Sequence, residues 1–297
     1  MRVGIGAVRE GEYATKWRES VSIPRGARAR AGGYLRRFAL DLLGLFDRFE
    51  GVVRAEEDAF LRCLYCHYVF DDQARRFEQL ITQLSRIGRF VDTPTCVSIL
   101  EGRRPLDGKY FHLSFDDGFR NLFTNALPIL RRHEIPAAFF VPSSLIGADW
   151  EVTKDYCQNK VHQRGVVETL KWKDLAEIAS AGYEVGSHTR THARFSAISR
   201  NPAALEDEIA ASKRDIERAL GIECRYISWP YGRRDDVDAA SLKATQAAGY
   251  RACFGAFRGS IVPQQTSAYS IPRHHFEVQW PASHVKYFAR GNWERAA

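Results

Sequence analysis

Residues 111–118 read Phe-His-Leu-Ser-Phe-Asp-Asp-Gly, an alternating stretch that runs directly into two adjacent carboxylates. The alternation predicts a buried strand, and the Asp-Asp-Gly that follows is typical of a turn. In a second stretch a predicted strand is also followed directly by polar residues: residues 183–186 predict the strand, and the sequence Ser187-His188-Thr189-Arg190-Thr191-His192 follows it. Polar groups placed just after buried strands are typical of α/β folds, which keep their chemistry at the carboxyl ends of the strands.

One carboxylate and two histidines four residues apart form a ligand set for a divalent metal ion. Three protein ligands leave coordination open for water, and the spare carboxylate is available to accept a proton from that water. Each piece alone has a structural explanation, since Asp-Asp-Gly forms turns and a His-xxx-His pair occurs on helix surfaces. Their shared position after predicted strands favours a metal-dependent hydrolase.

The rest of the chain alternates between predicted strands and helices. Asn201-Pro202 is typical of a helix start, and Gly221 of the end of that helix. Thr169 is predicted to cap another helix, which carries Trp172. About seven strands result, at residues 63–69, 111–115, 137–141, 183–186, 226–229, 251–254 and 269–276. Such alternation predicts parallel strands with crossover helices, and a single barrel is favoured over an open sheet.

Charge is concentrated at the start of the chain. The 297 residues carry a net charge of +7, yet residues 1–37 hold nine Lys and Arg against three Glu, so the remainder is nearly neutral. A nucleic-acid enzyme is therefore disfavoured. We predict a basic N-terminal extension at 1–55, with an amphipathic helix near 34–49, and a catalytic barrel at 56–290. Packing of that helix on the barrel is the default, and contact with a membrane surface is the alternative.

Targeting signals and cysteines both predict a cytoplasmic protein. No secretory signal or transmembrane helix is recognisable, so we expect a cytoplasmic location, with peripheral contact at the inner membrane face as the alternative. The stretch Cys63-Leu64-Tyr65-Cys66-His67 matches a haem-attachment pattern, but covalent haem requires export. We interpret it as a buried strand. No protein partner is predicted.

Three motifs occur together in a fixed order: Ser114-Phe-Asp-Asp-Gly118, Gly186-Ser-His-Thr-Arg-Thr-His192 and Trp229-Pro-Tyr-Gly232. This order resembles the polysaccharide deacetylase family, carbohydrate esterase family 4 with its NodB homology domain. Across residues 60–276 the resemblance implies a distorted (β/α)7 barrel and one divalent metal ion. The ion is expected to be zinc, although cobalt, nickel and manganese suit the same ligands. The resemblance assigns Asp116 as catalytic base and Asp117, His188 and His192 as metal ligands.

The resemblance also implies that the backbone N–H of Tyr231 donates to the oxyanion formed during amide hydrolysis. The third motif of the family usually begins with Arg, whereas this chain has Ser228. Arg273 is predicted to restore the missing positive charge and to orient Asp116. Residues 271, 273 and 275 share one strand face, so His274 is excluded from the barrel interior if Arg273 points there.

The general acid is a second departure, because the usual Leu-x-His near the C-terminus is replaced by Ile271-Pro-Arg-His-His275. A branch of the family places this histidine upstream, in a Tyr-His strand before the Asp pair. His67 matches that position, with Cys66 in place of the usual Tyr. We therefore predict His67 as general acid, with His275 and then His274 as alternatives.

The function that this resemblance implies is metal-dependent N-deacetylation of an N-acetylated amino sugar in a polysaccharide, an oligosaccharide or a lipid-linked glycan, with release of acetate. Three alternatives stay open: hydrolysis of a small non-sugar amide or ureido compound, a non-catalytic sugar-binding protein, and a non-haem iron oxygenase, which shares the ligand set. The helix-rich alternation argues against the oxygenase. The aromatic residues Trp150, Tyr156, Trp172 and Trp229 are candidates for stacking on sugar rings.

Overall fold

Parallel strands form the centre of the molecule. The computed structural model describes residues 10–20 and 59–291. All the paired strands run parallel, in the order β7-β6-β5-β4-β3-β1-β8, and β2 pairs with the first half of β3. The strands are β1 (Phe60–Cys66), β2 (Arg89–Val91), β3 (Lys109–Phe115), β4 (Ala138–Val141), β5 (Glu184–Ser187), β6 (Tyr226–Ser228), β7 (Ala252–Phe254) and β8 (His274–His275).

A single bridge closes the sheet into a distorted barrel. The bridge joins Phe254 of β7 to Ile271, and the chain then continues into β8, which pairs with β1. The Ile271 N–H donates to the Cys253 carbonyl at 3.0 Å, and the Gly255 N–H donates to the Ile271 carbonyl at 2.9 Å. Seven strands therefore form the ring, and β2 lies outside it. The predicted α/β class and distorted (β/α)7 barrel are confirmed.

Side chains from opposite strands meet inside the barrel. The Phe254 ring on β7 lies 5.2 Å from the His112 ring on β3 and 5.3 Å from the Phe140 ring on β4. The helix Thr93–Leu100 adds Cys96, Val97 and neighbouring residues to this interior cluster. Burial on both faces explains why the strands contain continuous apolar runs. Gly186 is required where strands approach closely, because a Cβ there would lie 2.7 Å from the Tyr226 carbonyl oxygen.

Helices surround the ring, and most pack on its outer face, whereas Thr93–Leu100 contributes to the interior cluster. Their bounds are α1 (Trp17–Ser20), α2 (Ala74–Ser85), α3 (Thr93–Leu100), α4 (Leu127–Arg132), α5 (Trp150–Asp155), α6 (Trp172–Ser180), α7 (Phe195–Ile198), α8 (Pro202–Glu206), α9 (Ser212–Leu220), α10 (Ala239–Ala247) and α11 (Ala282–Ala289). Asn201 caps α8 and Gly221 ends α9 in the left-handed region, as predicted. The cap of α6 is Lys171 rather than the predicted Thr169. Among the described helices, none has the length and apolar character needed to cross a membrane.

Residues 10–20 pack against the barrel. The Ala14 N–H donates to the Val166 carbonyl at 2.7 Å, and the Trp17 N–H donates to an Asp72 carboxylate oxygen at 3.1 Å. The Tyr13 ring lies 5.1 Å from the Trp150 ring. Part of the predicted extension is thus continuous with the barrel core. Its boundary at residue 55 and the predicted helix near 34–49 lie outside the described residues.

Candidate active site

The two adjacent carboxylates follow β3 at the carboxyl end of the barrel. Asp116 and Asp117 are 2% and 4% exposed. Asp117 has a φ of 72°, in the left-handed region that Asp tolerates better than most residues. This conformation ends the strand abruptly, so both carboxylates contribute to one pocket. Backbone strain of this kind is concentrated at functional sites.

The two histidines lie on the loop that follows β5. Thr189 and His192 have φ values of 64° and 63°, so the His-xxx-His pair belongs to a strained turn rather than to a helix. The buried Glu208 carboxylate holds this turn, because it accepts hydrogen bonds from the N–H groups of Arg190 (3.0 Å) and Thr191 (2.9 Å). Glu208 is a supporting residue that sequence reasoning missed.

Asp117, His188 and His192 converge and could together hold a metal ion, so we call them the ligand group. The Asp117 Oδ1 atom lies 3.3 Å from His188 Nε2 and 3.2 Å from His192 Nε2. The His188 Nδ1 atom lies 2.7 Å from the Ser228 carbonyl oxygen. A proton on Nδ1, donated to that carbonyl, leaves the Nε2 lone pair free for a metal. One carboxylate and two imidazole nitrogens, all buried and within 4.8 Å of one another, fit a divalent ion of the zinc class.

Asp116 is paired with Arg273. Arg273 Nη1 donates to Asp116 Oδ1 at 2.8 Å and Nη2 donates to Oδ2 at 2.6 Å, while Nη2 also donates to Ser228 Oγ at 2.6 Å. Burial raises the pKa of Asp116, but the charge of Arg273 more than offsets this effect, so the pKa lies below its ordinary value. Asp116 is therefore an oriented, ionised carboxylate beside the ligand group.

His67 follows β1 and lines the same pocket. Its Nε2 atom lies 4.0 Å from Asp117 Oδ2, and its ring lies 5.0 Å from the His275 ring. Burial lowers the pKa of His67 and outweighs the attraction of Asp117. Among the described residues, the pocket lining includes His67 but neither His274 nor His275. His275 Nε2 instead lies 3.3 Å from Glu277 Oε1.

Tyr231 also lines the pocket. Its φ of 63° belongs to a tight turn in which the Gly232 N–H donates to the Pro230 carbonyl at 2.7 Å. The Tyr231 ring lies 5.0 Å from the His192 ring, and the Arg194 guanidinium carbon lies 3.8 Å from the centre of the Tyr231 ring. These contacts fix the turn against the ligand group.

The pocket has a cavity volume of about 280 Å³. Its lining includes Tyr68, Lys160, Gln163 and Glu277, which sequence reasoning missed. Of the aromatic candidates for sugar stacking, the lining includes Trp229 but, among the described residues, neither Trp150, Tyr156 nor Trp172. The Tyr156 hydroxyl donates to the Asp117 carbonyl oxygen at 3.3 Å, and the Tyr156 ring lies 5.6 Å from the His192 ring. Tyr156 therefore supports both Asp117 and the loop of residues 188–192, which we call the ligand loop.

The fold and the site define a class: a distorted (β/α)7 barrel with an aspartate and two histidines converging beside a second, ion-paired aspartate at the carboxyl ends of its strands. Residues 103–253 match the sequence model of the Polysaccharide deacetylase family, and the chain belongs to this family.

The chain is also similar to individual proteins in sequence and in structure. The chain is 24% identical over 206 residues to YxkH of Bacillus subtilis (strain 168), covering 67% of this chain and 65% of YxkH. It is 32% identical over 140 residues to the chitooligosaccharide deacetylase of Sinorhizobium fredii, covering 46% of this chain and 54% of that enzyme. The matches thus span less than two thirds of either relative. The solved structure of IcaB from Ammonifex degensii has the same fold, with a TM-score of 0.65 and 24% identity over 79% of this chain and 98% of IcaB.

Proposed function

We propose that this protein is a metal-dependent N-deacetylase of N-acetylated carbohydrates, which hydrolyses an acetamide to acetate and a free amine. The observation that carries the proposal is the convergence of Asp117, His188 and His192 beside the Asp116–Arg273 pair. Family membership and the similarity to a chitooligosaccharide deacetylase support the substrate class. A divalent ion held by the three ligands would polarise the acetamide carbonyl and lower the pKa of a neighbouring water.

Asp116 is the proposed general base. Its carboxylate takes a proton from the water that attacks the carbonyl carbon, and a new C–O bond forms as the carbonyl oxygen gains negative charge. Arg273 acts as a positioning residue, because its two-pronged contact keeps Asp116 ionised and fixes the direction of its lone pairs. The Tyr231 N–H is the proposed donor to the oxyanion.

His67 is the proposed general acid. The C–N bond breaks as the amine leaving group receives a proton, and His67 must hold that proton at this step. The 4.0 Å between His67 and Asp117, together with its position in the pocket lining, supports His67 over His274 and His275. Acetate and the amino sugar are then released.

The alternatives differ in the substrate rather than in the site. A small amide or ureido compound would use the same base and ligands, and a sugar-binding protein would use the pocket without turnover. We propose that the cavity of about 280 Å³ takes the acetamido group with part of its sugar ring, whatever the length of the glycan. Contact of the basic N-terminal segment with anionic lipid, and a cytoplasmic location, also stay proposals.

Acetate release tests the proposal. Purified protein is assayed for bound metal and for acetate released from acetamido sugars, glycan oligomers and lipid-linked sugars. We expect Asp116→Asn to retain metal and to lose activity by about 100-fold or more, because the general base is gone. Asp235→Asn, which changes an exposed carboxylate in the short 3-10 helix Arg234–Asp236, is the matched control. Bound metal with no acetate from any sugar would reject the deacetylase in favour of another amide or a binding role.

A further inference from the structure

A second cluster of metal-ligating side chains lies deeper in the barrel. Cys63 on β1 and His112 on β3 are directly opposite each other in the parallel ladder, so their side chains lie on the same face of the sheet. Cys96, on α3, completes the cluster. All three residues are fully buried. The Cys63-x-x-Cys66 pattern of the sequence is not a chelating pair, because Cys66 belongs to the outer core cluster whereas Cys63 belongs to the interior cluster.

The distances in this cluster suit a metal ion. The Cys63 and Cys96 sulfur atoms lie 3.6 Å apart, and one ligand atom from each of the three residues lies within 4.8 Å of the others. Two sulfurs bound to one tetrahedral zinc ion at about 2.3 Å are about 3.8 Å apart. A disulfide requires about 2.05 Å. The observed separation is therefore close to that of two ligands of one ion.

His112 has a buried nitrogen that points to a ligand. Its Nε2 atom lies 3.0 Å from Thr93 Oγ1, whereas its buried Nδ1 atom has no partner at ordinary hydrogen-bond distance, and the imidazole interacts with the Cys63 thiol. A proton on Nε2, donated to the threonine hydroxyl, leaves the Nδ1 lone pair free, which is the arrangement that supports metal-bound histidines. The Phe254 ring, stacked 5.2 Å away, fixes the imidazole plane. Buried polar atoms without partners are costly, and a bound ion removes this cost.

Charge and environment restrict the kind of ion. Two thiolates and a neutral imidazole balance the charge of a divalent ion, which suits a position surrounded by apolar residues such as Leu61 and Val97. Thiolate sulfur selects thiophilic divalent ions such as zinc over magnesium or calcium. The site is separate from the catalytic group, because His112 precedes Asp116 by four residues, about 13 Å of extended strand.

We infer that Cys63, Cys96 and His112 form a second metal site, which binds a thiophilic ion and ties α3 to the barrel interior. This inference does not depend on the proposed deacetylase activity. Because the site is closed to solvent, its ion is acquired during folding and resists chelators that remove the catalytic ion.

Metal stoichiometry and cobalt spectroscopy test the inference. The full chain is refolded under reducing conditions with zinc or cobalt as the only metal, desalted and analysed for metal per chain. We expect two ions in the unaltered protein and in Cys66→Ser, a matched control on the same strand. We expect one ion in Cys96→Ser and one in the His188→Ala/His192→Ala double variant. The thiolate-to-cobalt charge-transfer band should persist in the histidine variant and disappear in Cys96→Ser.

Two outcomes would overturn the inference: a single ion per chain with no thiolate-to-cobalt band, or a Cys63–Cys96 disulfide in the folded protein, detected by mass spectrometry after thiol alkylation. If Cys96→Ser does not fold, the histidine variant decides alone. One residual ion with a thiolate-to-cobalt band then supports the site, and no residual ion rejects it.

Discussion

At the scale of single residues, the Arg273–Asp116 ion pair takes the place of the arginine that the third family motif usually supplies where this chain has Ser228. Arg273 is fully buried and is surrounded by the rings of Tyr65, Phe140 and Phe254. A buried guanidinium requires a partner for its charge, and Asp116 supplies both carboxylate oxygens. Ser228, at the end of β6, is hydrogen-bonded to the same pair, and the positive charge comes from Arg273, the residue just before β8.

Replacing Arg273 should therefore lower turnover rather than substrate binding. We expect Arg273→Met to reduce kcat by about 100-fold with little change in KM, because Asp116 loses its orientation as a base. Arg273→Lys should recover part of the loss, since lysine keeps the charge but not the two-pronged contact. Steady-state kinetics and metal content check this. A Met variant with normal kcat, or one whose KM rises as kcat stays constant, would contradict the positioning role.

His67 should matter in proportion to how much the leaving group needs a proton. We expect His67→Ala to reduce N-deacetylation by about 100-fold while the metal stays bound. Hydrolysis of an activated aryl acetate should be far less affected, because a phenolate leaves without protonation. His275→Ala is the matched control, since its ring lies 5.0 Å from that of His67. Near-normal N-deacetylation by His67→Ala would remove it as general acid.

At the scale of secondary-structure elements, the pairing of β5 with β6 positions both His188 and Ser228. Each residue lies at or just after the end of its strand, and they are joined by the contact between His188 Nδ1 and the Ser228 carbonyl. At the opposite end of β5, Arg225 donates to the Glu184 carboxylate at 2.7 Å. Burial raises the pKa of Glu184, and Arg225 only partly offsets this. This pair therefore holds the two strands together at a half-buried position.

Arg225→Met should destabilise the protein in a pH-dependent way. Loss of the charged partner leaves a buried carboxylate, at a cost of about 1–3 kcal/mol near neutral pH. The pKa of Glu184 is already raised in the folded protein and should rise further in the variant. Between the pKa of Glu184 in the unfolded state and its higher pKa in the folded variant, the folded state binds more protons than the unfolded state. The loss of unfolding free energy therefore grows as pH rises through this interval and becomes small in acid.

Urea unfolding at several pH values measures this deficit. Glu184→Gln in the same background is the control, because an uncharged amide removes the titration. A deficit that is equal at acidic and neutral pH would show that Arg225 acts through packing alone.

The sequence predicted the elements that carry the site better than those that support it. The strands before Asp116 and His188 were recognisable because each alternates and then ends in polar residues. Helix α3 was missed, although Asp92 caps it, because it is buried on most sides and lacks an amphipathic period. The last strand was predicted over 269–276 but pairs only at Ile271 and at His274–His275, since Pro272 has no N–H to donate.

Three-dimensional contacts limited what could be predicted of the site. Sequence order groups Asp116 with Asp117 and His188 with His192, but it contains no distance between the groups. Glu208 supports the ligand loop and Tyr156 supports Asp117 from elements remote in sequence, so no local pattern identifies them. The Cys63–Cys96–His112 cluster depends on strand register and on α3, and a spacing rule for neighbouring cysteines selects Cys66 instead.

At the scale of the whole molecule, the N-terminal segment 10–20 and the catalytic pocket share one hydrophobic cluster. Ala14 packs in this cluster with Tyr68, which lines the pocket, and with Tyr156, which contacts the ligand loop. The chain at Gly165 is in close contact with the segment, because a Cβ there would lie 2.4 Å from the Glu19 carbonyl oxygen. The barrel wall therefore depends on a segment outside the family match at 103–253.

Gly165→Ala should displace this segment and loosen the wall behind the ligand loop. The added methyl group contacts backbone, so relief requires movement of residues 10–20, with an expected loss of about 1–3 kcal/mol in unfolding free energy. Trypsin cleavage after Lys16 or Arg18 should become faster, and metal affinity should fall because Tyr156 loses support. Gly108→Ala is the matched control, since its Cβ would lie at an ordinary 3.5 Å from the Tyr110 ring. Faster cleavage with unchanged metal affinity would show that the segment covers the barrel without supporting its site.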